Sequence, residues 1–454
     1  MSHHPLITAL GLDDVIAWLP AGPRRVRELL ADAQALAARL PACSHLLNVC
    51  SDRYHFAVSF LAGLLADKVS LQPSSQSAET FQRLHAEYPG LLCLHDDEFD
   101  LHGLPALAFP GLNELAAKLD SASISAIPAI ADTQLAAILF TSGSTGLPQA
   151  QRKTWGKLVA NGQAEALALG LDQPPHTLIG TVPVQHSYGF ESTLLLALHG
   201  ACPFWSGKPF YPQDIANALA ATPAPRLLVT TPFHLSALLA AEIELPPVAA
   251  LLSATAPLST ALAAQAEART GAPMLEIYGS TESGQLAWRR TTAGAHWTLL
   301  PGVQLRQQGD ETSASGAHVE GEVVLSDLIE LLPERRFLLH GRHADLINIA
   351  GKRTSLAYLN HQISALPGVV DAAFFLPDDA ESSEGITRLT AFVVAPGQTA
   401  RALTAALRSR IDAIFLPRPL VLVDALPRNS TGKLPRSQLQ ALHAEMVASK
   451  PEAK

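Results

Sequence analysis

Cysteine is scarce in this chain, four in 454 residues. Cys43, Cys50, Cys93 and Cys202 make no CxxC pair and no metal-ligand spacing, which argues against a disulfide scaffold or a zinc site and fits a reducing cytoplasm. Charge is scarce too: 16% of residues are charged against 48% hydrophobic, a balance that excludes wholesale disorder. Basic residues are outnumbered, 32 Lys and Arg against 41 Asp and Glu, for a net charge of −9. That deficit speaks against nucleic acid or an anionic membrane surface as the main partner. The N-terminus has no Lys or Arg before its first apolar run and carries Asp13 and Asp14, unlike a secretory signal. The most apolar stretch, Phe56 to Ala66, is interrupted by Ser59 and closed by Asp67, short of the roughly 20 residues that span a bilayer. No integral membrane segment is expected.

What is present is an alternation of short apolar strands and helices. Residues 24–39 read as an amphipathic helix, LLNVC (46–50) as a strand, and DRYHFAVSFLAGLLADK as a buried helix. AAILF (136–140) leads through a Ser/Thr/Gly loop into a helical stretch from about Lys153 to Leu169. RLLVTT followed by HLSALLAAEI, and LLSAT, LSTALAAQAEART and MLEIYG in turn, repeat the pattern. An α/β fold follows, with mostly parallel sheets flanked by helices. After Trp288, segments such as HWTLL and GEVVL, separated by the polar run GDETSASGAHVEG, read as hairpin strands of a β subdomain at about 288–340. Beyond GRHAD (341–345) the remaining residues suffice for a small α+β domain with helices near 357–366 and 402–414. The expected division is an N-terminal core at 1–341 and a C-terminal domain at 342–454.

The sharpest local signal is Phe140-Thr141-Ser142-Gly143-Ser144-Thr145-Gly146-Leu147-Pro148, a strand entering a run of hydroxyl residues and glycines. Such a loop offers converging N–H and O–H donors with no bulky side chain in the way, which is what a polyphosphate requires. It is not a Walker loop, because no GxxxxGK[ST] is present. Taken alone, a surface linker is the competing reading.

Three further segments follow in order: YGSTE (278–282), GRHADLINIAGKR (341–353) and PRNSTGKLPR (427–436). With TSGSTGLP, this set resembles the adenylate-forming superfamily of acyl-CoA synthetases, aryl-acid ligases, adenylation domains and luciferases, from about residue 45 to 440. The resemblance implies a large N-terminal domain and a small mobile C-terminal domain. It also implies attack of a carboxylate on the α-phosphate of ATP to give an acyl-adenylate, then capture by a thiol. Charge that develops at phosphorus calls for cations and hydrogen-bond donors around it. On that resemblance Thr141 to Gly146 cradle the β- and γ-phosphates. Glu282 holds Mg²⁺, Thr281 meets the α-phosphate and Tyr278 lies against the adenine. Asp327 binds the ribose hydroxyls with help from Arg342, with a helix cap as the competing reading of Asp327. Lys433 bridges the attacking carboxylate and the α-phosphate. His186 matches a gate between thiol tunnel and acyl pocket, although a histidine in an apolar stretch is often a satisfied core residue.

The acyl pocket is expected from His186, Tyr188, Phe190, Ser253, Ala254, Gly279 and Ser283 to Gln285, including Gly284. Two departures stand out. Gln149 replaces the usual loop lysine, leaving Arg152 or Lys153 to supply the charge, and Ala344 stands at the usual hinge aspartate, next to Asp345. The compact length and the segment LLNVCSDRYHFAVSFLAGLLADKVSLQPSS resemble the stand-alone ligases of xanthomonadin and aryl-polyene pigment clusters. Those load an aromatic acid such as a hydroxybenzoate onto an acyl carrier protein. A medium-chain acid, coenzyme A as acceptor, and a catalytically degenerate nucleotide-binding protein are the alternatives.

Overall fold

The computed structural model describes residues 2–448 except 74–75, 98–100, 102, 142–147, 172–173, 310, 343–345, 350–351, 378–388 and 429–433. Two sheets organise the larger part. The first has six strands in the order 150–154, 135–140, 69–72, 45–48, 91–95 and 106–108. All neighbours are parallel except the first pair. The second has eleven strands, and its centre, 204–205, 177–180, 226–230, 250–253 and 274–280, is parallel. These strands are continuous apolar runs such as Leu227–Val229 and Leu251–Leu252, buried on both faces, as parallel strands must be when helices cover both sides.

Three details differ from the sequence reading. The stretch after the Ser/Thr/Gly loop is first a strand, Ala150–Thr154, folded back on Leu135–Phe140, and the helix starts only at Trp155. The polar run 309–321 is not a mere separator. Its Glu311–Ser315 is the central strand of a three-stranded sheet, because Thr312, Ser313 and Ala314 are small enough to be buried there. Finally, 288–340 is not one separate β unit. Trp297–Leu299, Asp327–Leu332 and Arg336–Arg342 extend the eleven-stranded sheet, and only 304–325 forms a sheet of its own.

The C-terminal part has its own apolar core, built from Leu359, Ile363, Phe374, Val393, Leu403 and Phe415 among others. Helices Leu356–Ser364 and Ala400–Leu407 cover a sheet of strands 371–375, 390–394 and 420–422.

The two large sheets meet at Arg53, at the start of helix Arg53–Leu65, which Asp52 caps. Arg53 is 2% exposed. Its guanidinium donates to Gly180 O, Val182 O, Trp205 O, Gly207 O and Thr193 Oγ1 at 2.9–3.2 Å. One side chain, from the helix that follows strand 45–48 of the first sheet, thus fastens the carboxyl ends of two strands of the second. Replacing it by methionine removes five hydrogen bonds and leaves the buried Gly180 and Val182 carbonyls without this partner, a loss of about 1–3 kcal/mol for each acceptor left unpaired. We expect Arg53→Met to lower Tm by several degrees or more, measured by calorimetry, and a change under two degrees would show that the clamp contributes little.

Candidate active site

The parallel strands of the second sheet end on one edge, where ligands bind in open α/β sheets. The tight turn Ser280–Gly284 joins the last parallel strand to its antiparallel neighbour Gly284–Arg290. Ser280 and Ser283 close it on each other, each backbone N–H donating to the other's hydroxyl at 3.2 and 3.3 Å. Gly284 takes φ +72°, a conformation that a side chain would strain. Thr281 and Glu282, carried on this turn, are half-buried. From below, Lys153 donates its Nζ to Glu282 O at 2.9 Å. Lys153 is 4% exposed. Burial lowers its pKa, against the pull of the Glu191, Glu320 and Glu282 carboxylates. What Lys153 holds directly is therefore the turn, whereas Arg152, the next residue on the strand, is exposed.

The residues expected on the nucleotide side also come together. Tyr278 donates its hydroxyl to Asp327 Oδ2 at 2.8 Å, and Asp327 pairs in register with Arg342 across two neighbouring strands. Asp327 opens a strand, not a helix, so the helix-cap reading is set aside. The Tyr278 ring rests against Trp297 and Phe337 at centroid distances of 5.7 and 5.5 Å. Thr141 and Gln149 close the base of the Ser/Thr/Gly loop, with Thr141 N donating to Gln149 O at 3.1 Å and Gln149 N to Thr141 Oγ1 at 3.3 Å. Ser142, Gly143, Ser144, Thr145, Gly146, Ala344 and Lys433 lie outside the described residues.

Next to the Thr231 and Thr255 strand ends is a small cavity lined by His186, Tyr188, Gly189, Thr231, His234 and Thr255 with Val182 and Pro183. Its wall begins a helical segment, Ser187–His199, whose middle, Phe190–Leu195, is π-helical, a distortion frequent at functional sites. Tyr188 is fixed by donation of its hydroxyl to Leu252 O at 2.9 Å. Thr255, a β-branched residue, sits at φ +77°, a strained conformation of the kind that clusters at ligand sites. Thr231 and His234 were not anticipated. The Nδ1 of His234 lies 2.9 Å from Thr231 Oγ1, and its ring meets Phe210 and Phe233 edge-on. Of the other expected pocket residues, Phe190 is fully buried against Phe60 and Phe56 in the core. Ser253 and Ala254 end their strand beside Thr255, and Gly279 and Ser283 border the turn.

Behind the same turn lies a second feature, of which the sequence pointed only to Gln285. Glu165 and Glu191, inside apolar helical runs, are buried with Ser192, Gln285 and His318. Gln285 Nε2 donates to Ser192 Oγ, which donates to Glu165 Oε1, both at 2.7 Å. Burial pushes the Glu165 carboxyl up to about 8 and Glu191 up to about 7, and burial takes His318 down to about 4. A carboxylate inside an otherwise apolar helix was the one sequence signal available.

These features agree with what the chain resembles among known proteins. Residues 34–327 match the model of the AMP-binding enzyme family, and residues 360–433 match the AMP-binding enzyme C-terminal domain. The 4-coumarate–CoA ligase of Rhodobacter capsulatus is 32% identical over 303 residues, 65% of this chain and 74% of that protein. A 4-chlorobenzoate–CoA ligase of an Arthrobacter species is 27% identical over 363 residues, 69% of this chain and 67% of that one. In fold, ATP-bound MatB from Rhodopseudomonas palustris superposes with a TM-score of 0.81 at 20% identity, over 96% of each chain. The chain therefore belongs to the AMP-binding enzyme family, whose adenylate-forming fold it has and whose class of chemistry, ATP-dependent activation of a carboxylic acid and its ligation to a thiol, it shares.

Two outcomes follow from this geometry. Asp327→Ala should raise the KM for ATP at least tenfold, and Tyr278→Phe, which removes only the hydroxyl, should raise it less; an unchanged KM in both would disconnect the pair from the nucleotide. Glu165 keeps its proton to about pH 8 when folded but releases it near 4.3 when unfolded, so its stabilising effect is complete at low pH and is lost as pH rises through this window. The stability of the native protein relative to Glu165→Gln should accordingly fall between about pH 5 and pH 8 in urea titrations, and a constant difference would contradict it.

Proposed function

We propose that the protein activates a small aromatic carboxylic acid, a hydroxybenzoate such as 3- or 4-hydroxybenzoate, and passes the acyl group to the phosphopantetheine thiol of an acyl carrier protein. The observation that carries this reading is the adjacency of the Glu282 turn, the Tyr278–Asp327 pair and the His186 cavity at the carboxyl ends of the parallel strands. It has support in the curated relatives, which include ligases of 4-coumarate and 4-chlorobenzoate. In this reading the core at 1–341 binds ATP and acid, and the domain at 342–454 brings Lys433 to the reacting carboxylate. Lys433 and Thr281 neutralise charge that builds at the α-phosphate, where preorganised donors are worth most. Thr141 to Gly146 hold the outer phosphates. Among the described residues no three His, Cys, Asp or Glu side chains gather as a metal cluster. The lone Glu282 carboxylate suits Mg²⁺, which usually takes one or two carboxylates and completes its shell with phosphate oxygens and water; when bound there it would screen phosphate charge. Four free cysteines accord with a cytoplasmic setting.

Coenzyme A is the second reading of the acceptor, favoured by the same relatives, which are named as acid–CoA ligases. Pyrophosphate release should be selective for a hydroxybenzoate among benzoates, cinnamates and fatty acids, and a thiol-exchange assay with carrier protein against coenzyme A separates the two acceptors. Lys433→Ala should reduce adenylate formation at least a hundredfold while sparing thioester formation from preformed acyl-adenylate. Equal loss of both steps would remove Lys433 from the adenylation role.

A further inference from the structure

The buried polar nest behind the Glu282 turn has more hydrogen-bonding capacity than it uses. Asn161, Glu165, Gln285 and His318 are each at most 3% exposed. Yet Asn161 Oδ1, Glu165 Oε2, Gln285 Oε1 and His318 Nδ1 have no hydrogen-bond partner among the described residues. Buried polar atoms are almost always paired, because each unpaired one costs about 1–3 kcal/mol. Four of the fifteen such atoms among the described residues fall in this one nest.

Their position is informative. A Cβ added at Gly284 would meet Asn161 Nδ2 at 3.0 Å, the His318 ring at 3.5 Å and Glu191 Oε1 at 3.8 Å, so the nest backs directly onto the site turn. His318 Nε2 donates to Gln285 O, which leaves Nδ1 as an acceptor in the neutral ring. The segment that carries His186, Tyr188 and Gly189 into the cavity carries Glu191 and Ser192 into the nest. Glu282 and Gln285 are three chain steps apart, at most about 11 Å, the reach of an acid one ring long. Three of the four orphan atoms are acceptors, and the fourth belongs to a carboxyl that burial keeps protonated near neutral pH. With Oε1 accepting from Ser192, that carboxyl's proton sits on Oε2 and is one donor against three acceptors, so the set is short of donors.

We infer that Asn161, Glu165, Gln285 and His318 form a specificity subsite for a hydrogen-bond donor, a hydroxyl or amino group, on the acid at the end remote from its carboxylate. This deepens the aromatic-acid reading above and rests on it. A site built to pair with a substrate hydroxyl rejects the analogue lacking it far more strongly than an apolar pocket discriminates a methylene, because its own buried groups are then left unpaired.

The test compares kcat/KM for adenylation of 3- and 4-hydroxybenzoate, the matching aminobenzoates, benzoate and the fluorobenzoates, with Kd of each acid by calorimetry. The full-length protein should favour at least one donor-bearing acid over its donor-less counterpart by about a hundredfold or more. Gln285→Leu and Asn161→Leu should cut that ratio at least tenfold, and Glu165→Gln, which keeps the shape, should cut it less; a purely structural role would depress all acids alike and leave the ratio unchanged. Benzoate used as well as the hydroxybenzoates would overturn the subsite and leave the aromatic-acid reading standing. Turnover confined to aliphatic acids without a donor would overturn both. Should a leucine variant fail to fold, the native ratio and Glu165→Gln decide alone.

Discussion

Arg53 is the constraint on which the site geometry depends. A guanidinium taken out of water with no carboxylate hydrogen-bonded to it among the described residues is tolerable only if its donors find other oxygens. Here they find four backbone carbonyls and one threonine hydroxyl. Those acceptors sit at the carboxyl end of strand 177–180, in the chain just after it, around strand 204–205, and on the π-helical segment. The relative placement of the two large sheets is therefore set by directional bonds as well as by apolar contact. The edge that bears the cavity inherits that rigidity, as a recognition site needs if it is to hold its groups within a fraction of an ångström.

Much of the fold was legible because parallel strands buried on both faces announce themselves as unbroken apolar runs. The strands 226–230, 250–253 and 274–280 and their helices fall where the pattern put them. What was not legible had physical reasons. Ala150–Thr154 carries Gln151, Arg152 and Lys153 and no apolar alternation, so only its pairing with Leu135–Phe140 makes it a strand. Glu311–Ser315 is polar and small, and it becomes a central strand by its position between two partners. Tyr278, Asp327 and Glu282 were named through short motifs, and the structure joins the first two by a hydrogen bond. His234, Thr231, Asn161 and His318 belong to no motif and converge only through tertiary packing.

The interior around the Glu282 turn is costly in free energy. An almost fully buried lysine among Glu191, Glu320 and Glu282, and a carboxyl raised to about 8 nearby, are arrangements that apolar residues of similar volume could replace with a gain in stability. Retention of such groups beside a binding edge is the trade of stability for selectivity that stability thresholds permit. The Lys153 contact adds a mechanical role: because it reaches the carbonyl and not the carboxylate of Glu282, it fixes the backbone and leaves the side chain available.

The π-helical stretch Phe190–Leu195 gives the recognition wall a definite phase. In a regular α-helix each residue advances about 100°, and a π turn takes up an extra residue for the same rotation. The residues before it, which face the cavity, and those within it, which face the buried carboxyls, are thus out of the register that a uniform helix would impose. One inserted residue serves as a gear between two surfaces. Because the extra residue is absorbed within the same rotation, a chain shortened by one position here would close into a regular α-turn, leaving Tyr188 in phase with the helix that follows but changing the directions of the residues inside the turn, Glu191 and Ser192 among them. The directions of Glu191 and Ser192 therefore depend on the length of one helical turn as much as on the residue types it carries.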